Sequence, residues 1–414
     1  MWKERLATAM GVLLMAAGSL AAIYGTELIL ALVLLTFGIV LVIYALWEYK
    51  DESHSREDLL NTAGVFIEKK LFERAIKKCM DFTEKYPANS LIYNAAQRIQ
   101  AEAIIEESKY GVNEEASLKE AEILLRYSLK MVDSKWRILD RGVYKSETAK
   151  CNKALGTVLF RLGEIRGVGY FKEGEALLGE AEKYFRGKEP LTHSKVLNNL
   201  GLTKLYLRGP VEAMSYYDEA VETIRNSKNE IAEKKYNTQM AYVLNNIANA
   251  YILQIKTKPA MRGELILTAL KKGKEALSFL TLQGEEPELY SRIVLSMNSY
   301  IMMLAHEPNL NRTQLLDDAG AMLGTLKELL TADRFPRSYH SLQLQLGIHY
   351  MGLAGLMQNE GANKEKIIEA LADGKRAFNE ASRFYTLVDY PKEYRVIKNN
   401  LSGLSKMAEF LNGP

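Results

Sequence analysis

Two hydrophobic patterns divide the chain near residue 50. Before that point apolar residues run unbroken: Ala7 to Tyr24 and Leu28 to Trp47 carry no charged side chain, and each is about as long as a helix that crosses a bilayer. After it, apolar positions recur every three or four residues among charged ones, with no strand-like alternation of any length. That period predicts helices throughout the remainder, so the fold class expected is all-α.

Only Gly25, Thr26 and Glu27 separate the apolar runs, which predicts a transmembrane helical hairpin over 1–50 with helices at about 7–24 and 28–47. Lys3 and Arg5 precede it, Lys50 and Arg56 follow it, and the turn has no base. Positive residues favour the cytoplasmic side, so both ends of the hairpin are expected there, with Trp2, Trp47 and Tyr49 at headgroup level. Ala17 with Ala21, and Gly18 with Ala22, would let the second helix approach closely. The first run also fits a cleaved signal peptide with a small-residue site near Ala21 and Ala22. Either way the residues from Asp51 onward are placed in the cytoplasm.

From Asp51 to Pro414 the helical segments come in pairs. In Val196 to Val221, Leu200 and Gly201 mark a first helix, Arg208-Gly209-Pro210 a break, and Ala213, Tyr217 and Ala220 a second helix. VLNN recurs at Val243, and the Ala269 to Ala276 pattern, with Gly273 inside it, returns at Ala370 to Ala377 around Gly374. Leu59, Ala63 and Phe66 followed by Ala75, Cys79 and Phe82 give an earlier copy. This spacing of small and large residues resembles the tetratricopeptide repeat, in which helix pairs of about 34 residues stack into a superhelix. Seven pairs are read over 51–414, followed by an unpartnered capping helix at about 394–411. Small residues such as Ala63 and Ala75 are expected where paired helices come closest. Gly167 to Gly174 reads as an insertion that breaks the period.

Aligning the blocks on Ala63, Gly201, Ala248 and Ser402 places an asparagine two residues earlier each time: Asn61, Asn199, Asn246 and Asn400, with Gln345 in register. The resemblance implies that this position faces the concave groove, where an amide can both donate to and accept from a peptide backbone. Asn249, Lys195 and Lys153 are expected on the same face, which would suit an acidic or carboxylate-bearing peptide. The alternative is that these amides are surface or packing groups retained by related repeats.

Charge and chemistry narrow the function further. The chain has 54 basic and 51 acidic residues, so no global field selects nucleic acid. A basic stretch from Lys130 to Arg166 follows an acid-rich one from Glu102 to Glu122. The two either pair with each other or, near a bilayer, offer the basic face to anionic lipid. Cys79 and Cys151 lack metal-ligand spacing, and no phosphate-binding loop, nucleophile elbow or HExxH is present. No enzyme activity, cofactor or metal is expected.

The function that follows is a membrane-anchored scaffold whose cytoplasmic solenoid binds a protein or peptide in its groove, in the plasma membrane of a prokaryote. The alternative is a structural subunit or assembly factor of a membrane complex that uses the hairpin as its interface.

Overall fold

The computed structural model describes residues 36–40, 54–86, 90–110, 113–139, 141–281, 286–305, 307 and 310–411. The expected hairpin helices at 7–24 and 28–47 lie outside these residues, apart from the helical 36–40. No helix among the described residues is long and apolar enough to cross a membrane.

Every regular element among the described residues is helical. A first helix, α1, covers 54–68 and is followed by α2 (Phe72–Lys85), α3 (Leu91–Glu107), α4 (Glu114–Leu139), α5 (Arg141–Arg166) and α6 (Val168–Phe185). Next come α7 (Pro190–Leu207), α8 (Pro210–Asn226), α9 (Glu233–Gln254), α10 (Arg262–Leu277) and α11 (Pro287–Leu304). The array ends with α12 (Arg312–Lys327), α13 (Pro336–Asn359), α14 (Lys364–Ser382) and α15 (Pro391–Leu411). Odd-numbered helices from α1 to α13 each pair with the even-numbered helix that follows, and α15 packs on α14 at the end.

Local chemistry sets these boundaries. Proline opens α7, α8, α11 and α13, where its missing N–H removes nothing from the helix ladder and its fixed φ suits the first turn. Ser90, Asn311 and Asn363 accept backbone N–H groups at the starts of α3, α12 and α14. Gly209 turns the chain between α7 and α8 at φ +95°, a region closed to most side chains.

Gly167, at φ +107°, is the whole turn between α5 and α6. The expected insertion at Gly167 to Gly174 is therefore not a loop: residues 168–174 are the first two turns of α6. Glycine there serves packing, because a Cβ on Gly174 would lie 3.2 Å from the Gly156 carbonyl oxygen and one on Gly156 would lie 2.6 Å from Leu178 Cγ. The extra length in this repeat comes from α5 itself, which has 26 residues.

The core runs along the array as successive apolar clusters. Ala63 and Ala75 are fully buried, as are Ala213, Tyr217 and Ala220. The Tyr217 ring occupies the place a side chain on Gly201 would need. A Cβ on Gly273 would likewise meet Met297 Cγ at 2.6 Å, and one on Gly347 would meet Phe378 at 2.6 Å. Successive first helices, α3 to α13, also touch each other, whereas the second helices touch mainly their flanking first helices. The first helices thus form the inner, tighter layer of the coil.

Candidate functional site: the concave lumen

Residues four apart lie on one helix face, so the inner layer presents stripes. On α5 the stripe is Lys153, Thr157, Arg161 and Glu164; on α7 it is Lys195, Asn199 and Tyr206; on α9 it is Tyr242, Asn246 and Asn249. The Asn199 amide nitrogen donates to Thr157 Oγ1 at 2.9 Å, and that of Asn246 donates to Asn198 Oδ1 at 2.8 Å. Tyr300 donates to Asn249 Oδ1 at 2.6 Å, and Asn298 donates to Gln345 Oε1 at 2.9 Å. Each bond joins one first helix to the next. No hydrogen bond from the described residues reaches the Oδ1 atoms of Asn199 and Asn246, both half-buried, so one half of each amide stitches repeats and the other is left available. Asn61 is exposed on α1 and Asn400 is half-buried on α15; no described contact joins either to this ladder.

Ion pairs fill much of the inner face. Lys153 meets Glu102 at 3.4 Å and Lys109 meets Glu106 at 2.6 Å. Arg161 binds Glu114 through Nε at 3.1 Å and donates to the Ile105 carbonyl at 2.8 Å. Arg166 pairs with Glu115, and Lys150 lies 3.5 Å from Glu147. The basic stretch from Lys130 to Arg166 is thus matched, at these described positions, by the acids of α3, α4 and α5 itself. Side chains at 132–141 are outside the description.

Segments far apart in the chain meet across this face. Arg337, at the start of α13, donates to Glu114 at 2.7 Å, and Lys235, at the start of α9, donates to Glu68 at 2.6 Å. Lys70 lies 3.6 Å from Glu286 and 4.0 Å from Glu288 at the start of α11. The coil therefore closes on itself, and its inner face lines a lumen.

The ionisation of lumen residues carries the mark of this enclosure. Lys109 and Glu106 keep 40% and 41% of their side-chain surface in reach of water. Even so, the surrounding protein is the largest influence on both: it disfavours each charge, and only their mutual pairing outweighs it, leaving Lys109 raised and Glu106 lowered. Burial raises the Glu164 carboxyl, which accepts from Tyr206 at 2.8 Å.

Lys195 is different. It is exposed to the lumen and has no ion-pair partner within 4 Å among the described residues. Its ammonium is lowered to about 8, first by desolvation and then by the charge of Lys153; Glu106 opposes, and Lys109 and Lys235 add to the fall. Four lysines from α5, α7, α9 and the turn after α3 thus converge on one space, and the acids there leave Lys195 unanswered. Such a place favours an incoming anion.

Sequence reasoning placed Lys195, Asn199, Lys153, Asn246 and Asn249 on this face but did not find Lys109, Lys235 or Arg337. The period-four stripe could have added Arg161, Glu164, Tyr206 and Tyr242. Nothing in a linear sequence brings Arg337 to Glu114.

Two other polar clusters have structural explanations. Glu182, His193 and Glu219 bring three potential metal-ligand atoms within 4.8 Å. Arg186 already supplies a cation there, with Nε 2.7 Å from Glu182 Oε1 and Nη2 3.8 Å from Glu219 Oε1. The cluster borders a cleft of about 520 Å³ between α6 and α8, away from the lumen. Deeper inside, Arg98 and Glu147 form a buried pair at 3.1 Å beside Cys151.

No protein-family model matches the chain, and comparison with curated proteins finds no match. Among solved structures, it is similar to a Rap protein complexed with competence and sporulation factor, at 12% identity over 86% of this chain and 99% of that one, with a TM-score of 0.36. It is also similar to a circular tandem repeat protein with novel repeat topology and enhanced subunit contact surfaces, at 12% identity over 88% and 97% of the two chains, with a TM-score of 0.28.

Proposed function

We propose that the protein is a non-catalytic, membrane-anchored scaffold whose lumen holds an acidic segment of a protein partner. The observation that carries this reading is Lys195, a lumen cation without a counter-ion, set among Lys153, Lys109 and Lys235. The open Oδ1 atoms of Asn199 and Asn246 add acceptors for the backbone N–H groups of an extended segment. The apolar runs at 7–24 and 28–47, with basic residues at both outer ends, support anchoring with the solenoid on the cytoplasmic side of a prokaryotic plasma membrane. Tethering raises the partner's effective concentration beside other membrane components.

Crosslinking in native membranes would identify the partner, and binding to wild type would then be compared with Lys195→Glu. A charged hydrogen bond contributes about 1.5–3 kcal/mol, so the variant should bind roughly ten- to a hundredfold more weakly. Equal binding by a folded variant would overturn the lumen assignment. For topology, a membrane-impermeant thiol reagent on intact cells should leave Lys77→Cys, exposed on α2, unmodified.

The small residues Ala17, Ala21, Gly18 and Ala22 favour a second reading, in which the hairpin itself docks inside a membrane complex. Replacing 7–47 with an unrelated two-helix anchor separates the two. Retained function supports the lumen reading, and lost function supports the hairpin.

A further inference from the structure

Among the described residues, the two ends of the coil meet through polar side chains. From Phe72 onward, extended helix–helix packing is confined to helices one or two places apart in the chain. Among the described residues no apolar cluster joins those before 139 to those after 233. What crosses the lumen is instead a row of ion pairs, Lys235 with Glu68, Lys70 with Glu286 and Glu288, and Arg337 with Glu114, together with a hydrogen bond from the Tyr110 hydroxyl to Glu288. Water reaches all of them, most of all Lys235 and Glu68, which are 51% and 61% exposed.

Three of these groups, Glu114, Arg337 and Lys70, are also held in place from their own side. Arg161 grips the other oxygen of Glu114, while the Arg337 guanidinium lies 5.8 Å from the centre of the Tyr390 ring. Lys70 rests over the Tyr110 ring at 5.7 Å. Glu114 and Arg337 each keep their own support when the pair between them is broken. Neither arm has to unfold for the other to leave.

We infer that these ion pairs are an electrostatic latch, which holds the repeats before Leu139 against those after Glu233 and whose release widens the lumen for its occupant. An acidic segment entering beside Lys195 would compete with Glu68 for Lys235, the one cation that belongs both to the latch and to the surroundings of Lys195, so binding and opening are coupled through that shared charge. This last step rests on the lumen being the binding site. The latch itself does not.

Exposed ion pairs are screened by salt, with a Debye length that falls from roughly 30 Å at 0.01 M to about 3 Å at 1 M, while apolar packing between neighbouring repeats persists. The two responses can be told apart. Spin labels on Lys77→Cys in α2 and Glu369→Cys in α14 of the full chain in lipid nanodiscs report the distance between the arms; both positions are exposed, and the native thiols are buried.

At low salt the distance distribution should be narrow. Raising the salt should shift it to longer values and broaden it, with helix content unchanged. Arg337→Glu should give the open distribution already at low salt, and Arg337→Lys, which keeps the charge facing Glu114, should retain the closed one. A distribution unmoved by salt and by Arg337→Glu would overturn the latch. Because this distance is read without a partner, that result leaves the lumen assignment standing. Equal binding by Lys195→Glu would do the reverse.

Discussion

The side-chain amide of Asn246 donates to Asn198 Oδ1 at 2.8 Å, joining the inner helices of consecutive repeats through residues of the same VLNN motif. In the first copy Asn198 receives the next repeat and Asn199 reaches back to the previous one; in the second copy Asn246 reaches back, while the buried Asn245 Oδ1 has no partner among the described residues. Asn246→Ala removes the bond and leaves the buried Asn198 without that donor. Leaving a buried acceptor unsatisfied costs about 1–3 kcal/mol, which a urea titration would show as a lower midpoint at unchanged slope.

Gly201 admits the Tyr217 ring against the backbone of α7. Tyr217 is fully buried in the core between repeats, so its ring has little room to retreat. Gly201→Val should destabilise the fold by about 1–3 kcal/mol, the range for overpacked cores. Gly179→Val, where no neighbouring atom lies within 4 Å of a Cβ, should lack this steric cost. Thermal melts of the two variants make the comparison.

Glu147 and Arg98 are only 2% and 4% exposed, and removing one partner of such a pair typically costs about 3–5 kcal/mol. Burial raises the Glu147 carboxyl, but Arg98, Lys150 and Arg56 outweigh it and hold it below the ordinary carboxylate value. The folded state therefore prefers the carboxylate. This contribution is present above the unfolded value of 4.5 and is lost as pH falls below it toward the folded value. Wild type should lose melting temperature more steeply below that pH than Glu147→Gln, which starts less stable.

Lys195 runs the other way. With its folded value lowered to about 8 from 10.5, the folded state disfavours the ammonium. The penalty is complete below about 8, shrinks between that pH and 10.5, and vanishes above. Lys195→Met should therefore stabilise the chain at neutral pH, with the gain fading through that window, while it weakens binding of an acidic segment. Chemical denaturation at pH 7 and pH 10 tests the sign.

Cys79 and Cys151 are buried, and desolvation pushes their thiols up to about 12 and about 11. The reactive thiolate is therefore scarce and inaccessible. Thiol reagents should modify neither residue in the folded protein and both promptly in denaturant, as followed by mass spectrometry.

Much of the fold was legible because packing writes itself into the sequence at helical spacing. Ala63, Gly201 and Tyr217 occupy the close approaches that the repeat pattern implies. Gly167 to Gly174 misled because glycine marks both turns and tight helix contacts: Gly167 is the first kind and Gly174 the second. For the site, Lys195 and Asn199 could be found one helical turn apart on one face. Lys235 and Arg337 could not, since their partners Glu68 and Glu114 are brought to them only by the winding of the whole coil.

The inner helices pack on one another, while the outer ones meet through side chains such as Arg126 with Glu173 and Arg225 with Glu275. In mechanical terms the inner layer is the spine of a fan, and each outer rib is also held by apolar packing to the next inner helix, as Ala220 and Ile224 of α8 cluster with Met240 of α9. A tether at one end of such a fan would pass tension along the spine, through the row of asparagine bonds, before it reached any core.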